Sequence, residues 1–439
     1  MMNKTPVDKI IKDLDISAPE MRRLVKSFAS EMKRGLSGAR SSLKMIPTYA
    51  SQPTGEETGE FIALDLGGTN FRILALKLKG RGRIGKPSIM SFKLGQKEIS
   101  GGGEDLFDFI ASRIKLFLSK NNLSGVKHSL GFTFSFPVKQ TGIAAGDLVC
   151  WTKGFRTKGV IGKDVVWLLN EALIRCGVRN LSISAMLNDT VGTLATKSYE
   201  DRNCDIGVII GTGTNACYSE ALANIPGIKD SRSVGGRMII NIEWGNFDKL
   251  KKTHFDREID KRSSNPGKQI LEKMVSGMYL GQIAERVIRK TVVSHIRGFT
   301  TEHMSRIESD VSKDLSNTGR VLKGLGVKVS TLKVKAEVLN ICKAVSLRSA
   351  RIVAACLGAI ILKMDPKILS SHTIAIDGSV YEKHPTFAKN IRAGLKGLFG
   401  RKASRVKLVL AKDGSGIGAA ITAAAASNNR RYDDEKNSA

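Results

Sequence analysis

The sequence predicts a duplicated α/β architecture with a ligand cleft between its halves, and three observations point to it. Two buried strand runs each end in a glycine-rich turn and double back, at Gly67-Gly68 and at Gly211-Thr212-Gly213. Each hairpin leads into further strands alternating with helical segments, the order that builds layered α/β domains. A chain of 439 residues with a hydrophobic fraction of 41% suffices for two or three domains with substantial cores.

Residues 7–45 read as helical, with Ile10, Ile11 and Leu14 and then Met21, Leu24, Val25 and Phe28 at near-helical spacing. Residues 46–59 carry two prolines and polar turn formers and read as a linker or surface loop. From Glu60 the period changes. FIALDL and FRILALKL flank Gly-Gly-Thr-Asn, a strand–turn–strand signal, and a third strand is expected near 88–94. Over 104–120, Phe107, Ile110, Ile114, Phe117 and Leu118 share one helical face. A strand over 128–136 stops at Pro137, a helix over 163–177 stops at glycine, and 181–187 reads as a buried strand. Strands over 205–211 and 214–220 make the second hairpin, followed by a strand over 237–244. Asn265-Pro266 opens a long helix to about Val293, since proline is favoured in a first turn. Helices continue to Met364, before a strand (373–377), a helix (386–398), a strand (406–410) and an alanine-rich terminal helix from Gly416.

Composition narrows the function classes. The longest clean apolar stretch, 354–362, falls short of the roughly 20 residues a bilayer helix needs, so no membrane span or membrane partner is expected. The first residues (MMNKTPVDKI) hold no apolar signal region, and the final Lys-Asn-Ser-Ala matches no retention or peroxisomal tail, so a cytoplasmic location is expected. Cysteines 150, 176, 204, 217, 342 and 356 form no Cys-x-x-Cys pair and read as reduced thiols, mostly buried. The six histidines show no metal-ligand spacing, so no structural metal is expected. Lys+Arg 70 against Asp+Glu 41 gives a net charge of +29, a field that favours anions of any kind. The basic residues are spread out, aromatics are only 6%, and no zinc finger or RNP-like motif occurs, so no nucleic-acid partner is expected.

The chemistry concentrates at strand ends. In Asp65-Leu66-Gly67-Gly68-Thr69-Asn70-Phe71-Arg72 the glycines remove Cβ atoms, so backbone N–H groups can approach phosphate oxygens. Thr69 and Asn70 add short donors, Arg72 a fixed positive charge, and Asp65 a carboxylate able to orient a magnesium-bound water. Gly211-Thr212-Gly213-Thr214-Asn215 repeats this logic, and Asp377-Gly378-Ser379 ends a third buried strand in the same way. Each turn alone reads as a plain turn; three in order point to nucleotide binding. No Gly-x-x-x-x-Gly-Lys-Ser/Thr occurs, and the Gly-x-Gly-x-x-Gly at 80–85 is followed by no helix, so it reads as a basic hairpin loop. Ser135, the stretch Trp151-Thr152-Lys153-Gly154-Phe155, Asn188-Asp189, Glu243, Gln269 and Glu272 supply amides and carboxylates that can each serve two hydroxyls of a polyol.

At these residues the chain resembles the hexokinase/glucokinase family. The stretch from Leu130 to Phe155, LGFTFSFP through WTKGF, is similar to that family's sugar-binding signature. DLGGTNFR, LNDTVGTL, IIGTGTNACY, INIEWGNF, NPGKQ with LEKMVSGMYLG, and IDGSVYEKHP resemble its other motifs in family order, over about residues 15–426. The resemblance implies a two-domain, actin-like ATPase (ribonuclease H-like) fold with a sugar/ATP cleft. Its small domain would be 59–187 plus 414–430, its large domain 1–54 plus 188–413, and 431–439 a disordered tail. It implies transfer of the γ-phosphoryl group of ATP, with Mg2+, to the 6-hydroxyl of glucose or a related hexose, the first step of glycolysis. Asp189 would be the catalytic base, with Lys153 and Arg72 as charged partners. Ser135, Thr152, Lys153, Asn188, Asp189, Asn215, Glu243 and Glu272 would hold the sugar. Asp65, Gly67, Gly68, Thr69, Asn70 and Thr212 would surround the phosphates, with magnesium carried by ATP and reached by Asp65 through water. Thr301, Ser305, Gly378 and Ser379 would contact the nucleotide. Thr301-Glu302-His303 departs from the family pattern, which leaves the adenine contacts open. The oligomeric state is read as monomer or homodimer. A catalytically silent sugar sensor is the alternative, weakened by the intact Asp189 and Lys153; a nucleic-acid binder rests on charge alone.

Overall fold

A computed structural model describes residues 6–226, 236–328 and 331–437, the last ten of these by backbone only. Its strands are β1 (Ile46–Pro47), β2 (Thr58–Leu66), β3 (Asn70–Lys79), β4 (Ser88–Lys93), β5 (His128–Phe134), β6 (Val138–Gly142), β7 (Ala145–Leu148) and β8 (Leu181–Leu187). They continue with β9 (Cys204–Ile210), β10 (Thr214–Ala221), β11 (Arg237–Asn241), β12 (His372–Asp377) and β13 (Val406–Leu410). One sheet has the order β4-β3-β2-β5-β8 and the other β1-β11-β10-β9-β12-β13. Without β1 the two are the same pattern: an antiparallel three-strand meander whose first strand also pairs in parallel with a later strand, which pairs in parallel with one more. The duplication expected from the two glycine turns is therefore present in the topology.

Apolar burial follows the sheets. One core lies on the first sheet against helices Gly103–Lys120 and Val165–Arg175, another on the second sheet against helices including Ala18–Leu36 and Leu332–Met364. A third core fills the space between the sheets, around helices Asp189–Glu200 and Gly414–Asn437. These two helices touch through glycines: a Cβ on Gly418 would lie 2.0 Å from the Gly192 carbonyl oxygen. Helix Leu332–Met364 is long and apolar enough to span a membrane by composition, but 83% of its apolar window is buried inside the fold. It is a core helix. Cys204, Cys217, Cys342 and Cys356 are buried, and all six cysteines are free.

Four expectations change. Residues 7–45 form two helices, Pro6–Leu14 and Ala18–Leu36, separated by the Ser17/Glu20 capping box, and leave helix at Ser37. The 46–59 loop contributes β1, whose Ile46 and Pro47 pair with Asn241 and Ile240; proline is tolerated there because β1 is an edge. The long helix expected from Pro266 is instead Ile270–Val275 and Gly277–Thr291, broken at Ser276. The break frees the N–H groups of Gly277 and Met278 to donate to the carbonyls of Gly211 (2.7 Å) and Thr212 (3.2 Å). Finally, the backbone of 431–437 is helical and not a disordered tail. Residues 438–439 lie outside the described residues.

Candidate active site

The parallel strands of both sheets deliver their carboxyl ends to one cleft. β2 ends at the Gly67-Gly68 turn, β5 at Ser135, β8 at Asn188-Asp189, β9 at Gly211–Gly213, β12 at Gly378 and β13 just before Asp413. Such a convergence is the usual ligand position in parallel α/β sheets.

The Gly67-Gly68 turn is organised by a charge network. Asp65 and Arg72 face each other across β2 and β3. One Arg72 Nη donates to Asp65 Oδ2 at 2.7 Å, the other to Asp413 Oδ1 at 2.7 Å, and Ser415 Oγ donates to the same Asp65 oxygen at 2.8 Å. Thr69 and Asn70 are exposed on the turn, and Gly67 and Gly68 are half-buried. The second turn is pinned from below. Thr214 Oγ1 donates to the Ile209 carbonyl and accepts from Trp244 Nε1 at 2.9 Å, leaving Thr212 exposed at the tip. Gly378 packs directly on this turn, with φ +115° and a would-be Cβ 2.4 Å from the Ile210 carbonyl; Ser379 beside it is exposed.

Asp189 stands at the start of helix Asp189–Glu200, capped by Asn188, whose side chain accepts from Val191 N–H. Thr190 donates to Asp189 Oδ1 from its backbone N–H (2.8 Å) and its hydroxyl (3.2 Å). The Asp189 carboxyl faces the cleft yet is hemmed in by protein, and this burial raises its pKa; Lys153 opposes the rise, and Asp65 adds to it. Lys153 itself is exposed, in the left-handed backbone region at φ 56°. Its Nζ donates to the carbonyls of Gly67 (2.7 Å) and Ser135 (2.8 Å), 5.4 Å over the Phe136 ring. Phe136, Trp151 and Phe155 pack with centroids 4.9–5.1 Å apart and hold this loop, with Thr152 exposed on it.

Across the cleft, Asn215 Nδ2 donates to Asn241 Oδ1 (2.9 Å) and Glu243 Oε1 (3.1 Å), and Asn241 Nδ2 donates to the same glutamate oxygen at 2.9 Å. Glu272 Oε2 accepts from Thr214 N–H at 3.1 Å, and burial followed by the nearby Glu243 raises its pKa. A cavity of about 640 Å³ opens beside this cluster, walled in part by Asn188, Asn241 and Glu243. The amides and carboxylates named for a polyol thus come together, with Ser135, Thr152 and Lys153 on the first sheet's side.

Thr301 and Ser305 are placed differently from free nucleotide contacts. Thr301 Oγ1 donates to the Gly277 carbonyl (2.6 Å) and accepts from Gly281 N–H, and Ser305 Oγ donates to the Lys383 carbonyl. Two residues unmarked in the sequence, Asp413 and Ser415, also join the site, near Asp377 of the third turn. The signal was available, since Asp413-Gly414-Ser415-Gly416 is a fourth small polar turn after a strand. Burial, and then Asp413 and Asp189, raise the pKa of Asp377. Among the described residues no three acidic, imidazole or thiol groups converge closely enough to hold a bare metal ion.

Fold and cleft together define a two-domain protein of the actin-like sugar-kinase fold, with two glycine-rich turns facing a pocket lined by amides and carboxylates. The chain belongs to the hexokinase family: two profiles, each described as Hexokinase, match residues 6–199 and 205–425. It is 40% identical to Hexokinase-2 of Oryza sativa subsp. japonica, over 97% of this chain and 93% of that one. It is also 40% identical to Hexokinase-like 1 protein of Arabidopsis thaliana, covering 95% of this chain and 90% of that one. The structure of a Schistosoma mansoni hexokinase complexed with glucose aligns with a TM-score of 0.82 at 35% identity, covering 95% of this chain and 98% of that one.

Proposed function

We propose that this protein is an active ATP-dependent hexokinase that phosphorylates the 6-hydroxyl of glucose or a close relative. The observation that carries the reading is the setting of Asp189, at the junction of the polyol cluster and the phosphate turns, with its proton affinity raised by burial. With the sugar's 6-hydroxyl against it, the carboxylate takes the hydroxyl proton as O6 attacks the γ-phosphorus. The bond from that phosphorus to the β–γ bridging oxygen breaks, and ADP leaves. Thr190 holds Asp189 Oδ1, which leaves Oδ2 for the substrate.

Magnesium bound to ATP would neutralise phosphate charge, with Asp65 reaching it through water. Arg72 is held between Asp65 and Asp413, so its charge is fixed before the nucleotide arrives and needs no reorganisation during transfer. Lys153 rests on the Gly67 and Ser135 carbonyls; closure of the two halves around the sugar would move it toward the transferred group while excluding water.

A coupled ADP-release assay with MgATP and a panel of hexoses tests this beside Asp189→Ala. Hexose-dependent turnover should fall by roughly 10²–10⁴-fold in the variant, while the sugar-induced change in tryptophan fluorescence persists. Fluorescence changes without turnover for any hexose in the unaltered protein would instead identify a sugar-binding protein without transfer.

A further inference from the structure

Beneath the nucleotide side of the cleft lies a buried polar pair that the mechanism above does not use. Glu308 ends helix Thr301–Glu308, and its side chain is fully buried, as is that of His384 (0% and 1% exposed). Glu308 Oε2 accepts hydroxyl hydrogens from Ser346 of the core helix (3.1 Å) and Thr386 (3.0 Å). Its other oxygen lies 3.4 Å from His384 Nε2, and neither that oxygen nor either imidazole nitrogen has an aligned hydrogen bond. Leaving such groups unsatisfied in an apolar interior costs stability, so an apolar pair would be the cheaper filling.

What the pair joins gives it a use. Helix Thr301–Glu308 begins at Thr301, which bonds to the Gly277 carbonyl, and Gly277 in turn donates to Gly211 of the second phosphate turn. His384 closes the segment that opens with Gly378-Ser379, packed on that same turn. Ser305 adds a bond to the Lys383 carbonyl one turn before Glu308. The two stretches that flank the nucleotide side are therefore tied at their far ends by Glu308, His384 and Thr386.

We propose that Glu308 and His384 are positioning residues for the phosphoryl donor: they fix helix Thr301–Glu308 against the 378–386 segment and so set the width of the nucleotide side of the cleft. This rests on the hexokinase reading of the site. The loose 3.4 Å contact is the open setting, and donor binding draws it into a hydrogen bond.

The test is Glu308→Gln in the full-length protein, followed by steady-state kinetics and calorimetric titration of MgATP without sugar. Both KM for ATP and the MgATP dissociation constant should rise roughly tenfold. KM for glucose, kcat at saturating ATP and the glucose-dependent fluorescence change should stay within about twofold. Thr386→Val, which keeps the carboxyl group and removes one donor, should shift KM for ATP in the same direction by less, and it remains available if Glu308→Gln folds poorly. Unchanged ATP parameters in both variants would overturn the proposal. So would a joint loss of kcat, glucose affinity and melting temperature, the signature of a purely structural pair. If the unaltered protein binds MgATP but phosphorylates no sugar, the hexokinase reading fails while the titration still tests the clamp.

Discussion

Replacing Gly378 with alanine tests whether the two nucleotide-side turns are built to touch. At φ +115° an L-residue is strained, at a cost of about 1–3 kcal/mol. The added Cβ would also sit 2.4 Å from the carbonyl carbon and oxygen of Ile210 and 2.7 Å from Gly211 N. Those neighbours are backbone atoms that cannot rotate away, so about 1–3 kcal/mol of overpacking adds to the strain. Gly298 supplies the control. Its φ is +72°, but nothing lies within 4 Å of its would-be Cβ, so Gly298→Ala bears the backbone cost without the clash. Under identical conditions Gly378→Ala should melt roughly 3–10 °C below Gly298→Ala, at about 2–4 °C per kcal/mol for halves of this size. Because the turn forced aside is Gly211–Gly213, Gly378→Ala should also raise KM for ATP, whereas Gly298→Ala should not. Equal melting temperatures in the two variants would refute the steric argument.

Other perturbations have definite signs. Arg348 and Asp256 form a buried bidentate pair at 2.8 and 2.9 Å, both side chains nearly inaccessible. Arg348→Leu strands the carboxylate and should cost about 3–5 kcal/mol in denaturant unfolding, with Asp256→Leu in the same chain recovering much of it. Asp377 has a folded-state pKa raised by burial and then by Asp413 and Asp189. A raised carboxyl pKa contributes stability only below the ordinary value near ~3.9 and loses it as pH rises through the folded value. Asp377→Asn should therefore raise the melting temperature at pH 7 and leave it unchanged near pH 3. His372 Nδ1–H donates to Asp205 Oδ2 at 2.6 Å, and that bond raises its pKa. The stability it adds is complete below about pH 6.5 and fades above, so His372→Gln should cost more at pH 6 than at pH 9 in thermal melts.

Local pattern carried most of the fold. The strand over 181–187 matches its expected bounds residue for residue, because Leu181, Ile183, Ala185, Met186 and Leu187 leave no alternative to a buried strand between a glycine stop and a helix cap. The two hairpins were legible for the same reason, each apolar run being cut by a short turn of glycine, threonine and asparagine. The misses arose where a distant group outbid a local preference. The run from 266 to 293 is helical in period, and it breaks at Ser276 because carbonyls of Gly211 and Thr212, more than sixty residues away, take the next two amides. No window of neighbouring residues contains that competition. The β1 edge is similar: Pro47 speaks against a strand until β11 is there to pair with it.

The site divides along the same line. Residue chemistry singled out Asp189, the glycine-rich turns and the amides and carboxylates that line one cleft, because most stand at the end of a strongly patterned strand. It did not show which hydroxyls were already committed, as Thr301 and Ser305 are to backbone carbonyls, since a bond made in folding leaves no mark on the residue that makes it. Nor did composition anticipate the local charge. A protein of net +29 places Asp65, Asp189, Asp377 and Asp413 around its cleft, from positions far apart in the sequence. The two facts act at different ranges. The positive field reaches about a Debye length, roughly 8–10 Å at physiological salt, and favours the approach of any polyanion. The carboxylates act at contact, where they oppose bare phosphate and accept phosphate that carries a divalent cation. On the hexokinase reading proposed above, a cleft arranged this way would favour a metal-loaded nucleotide over the free one, with Arg72 held in place between Asp65 and Asp413.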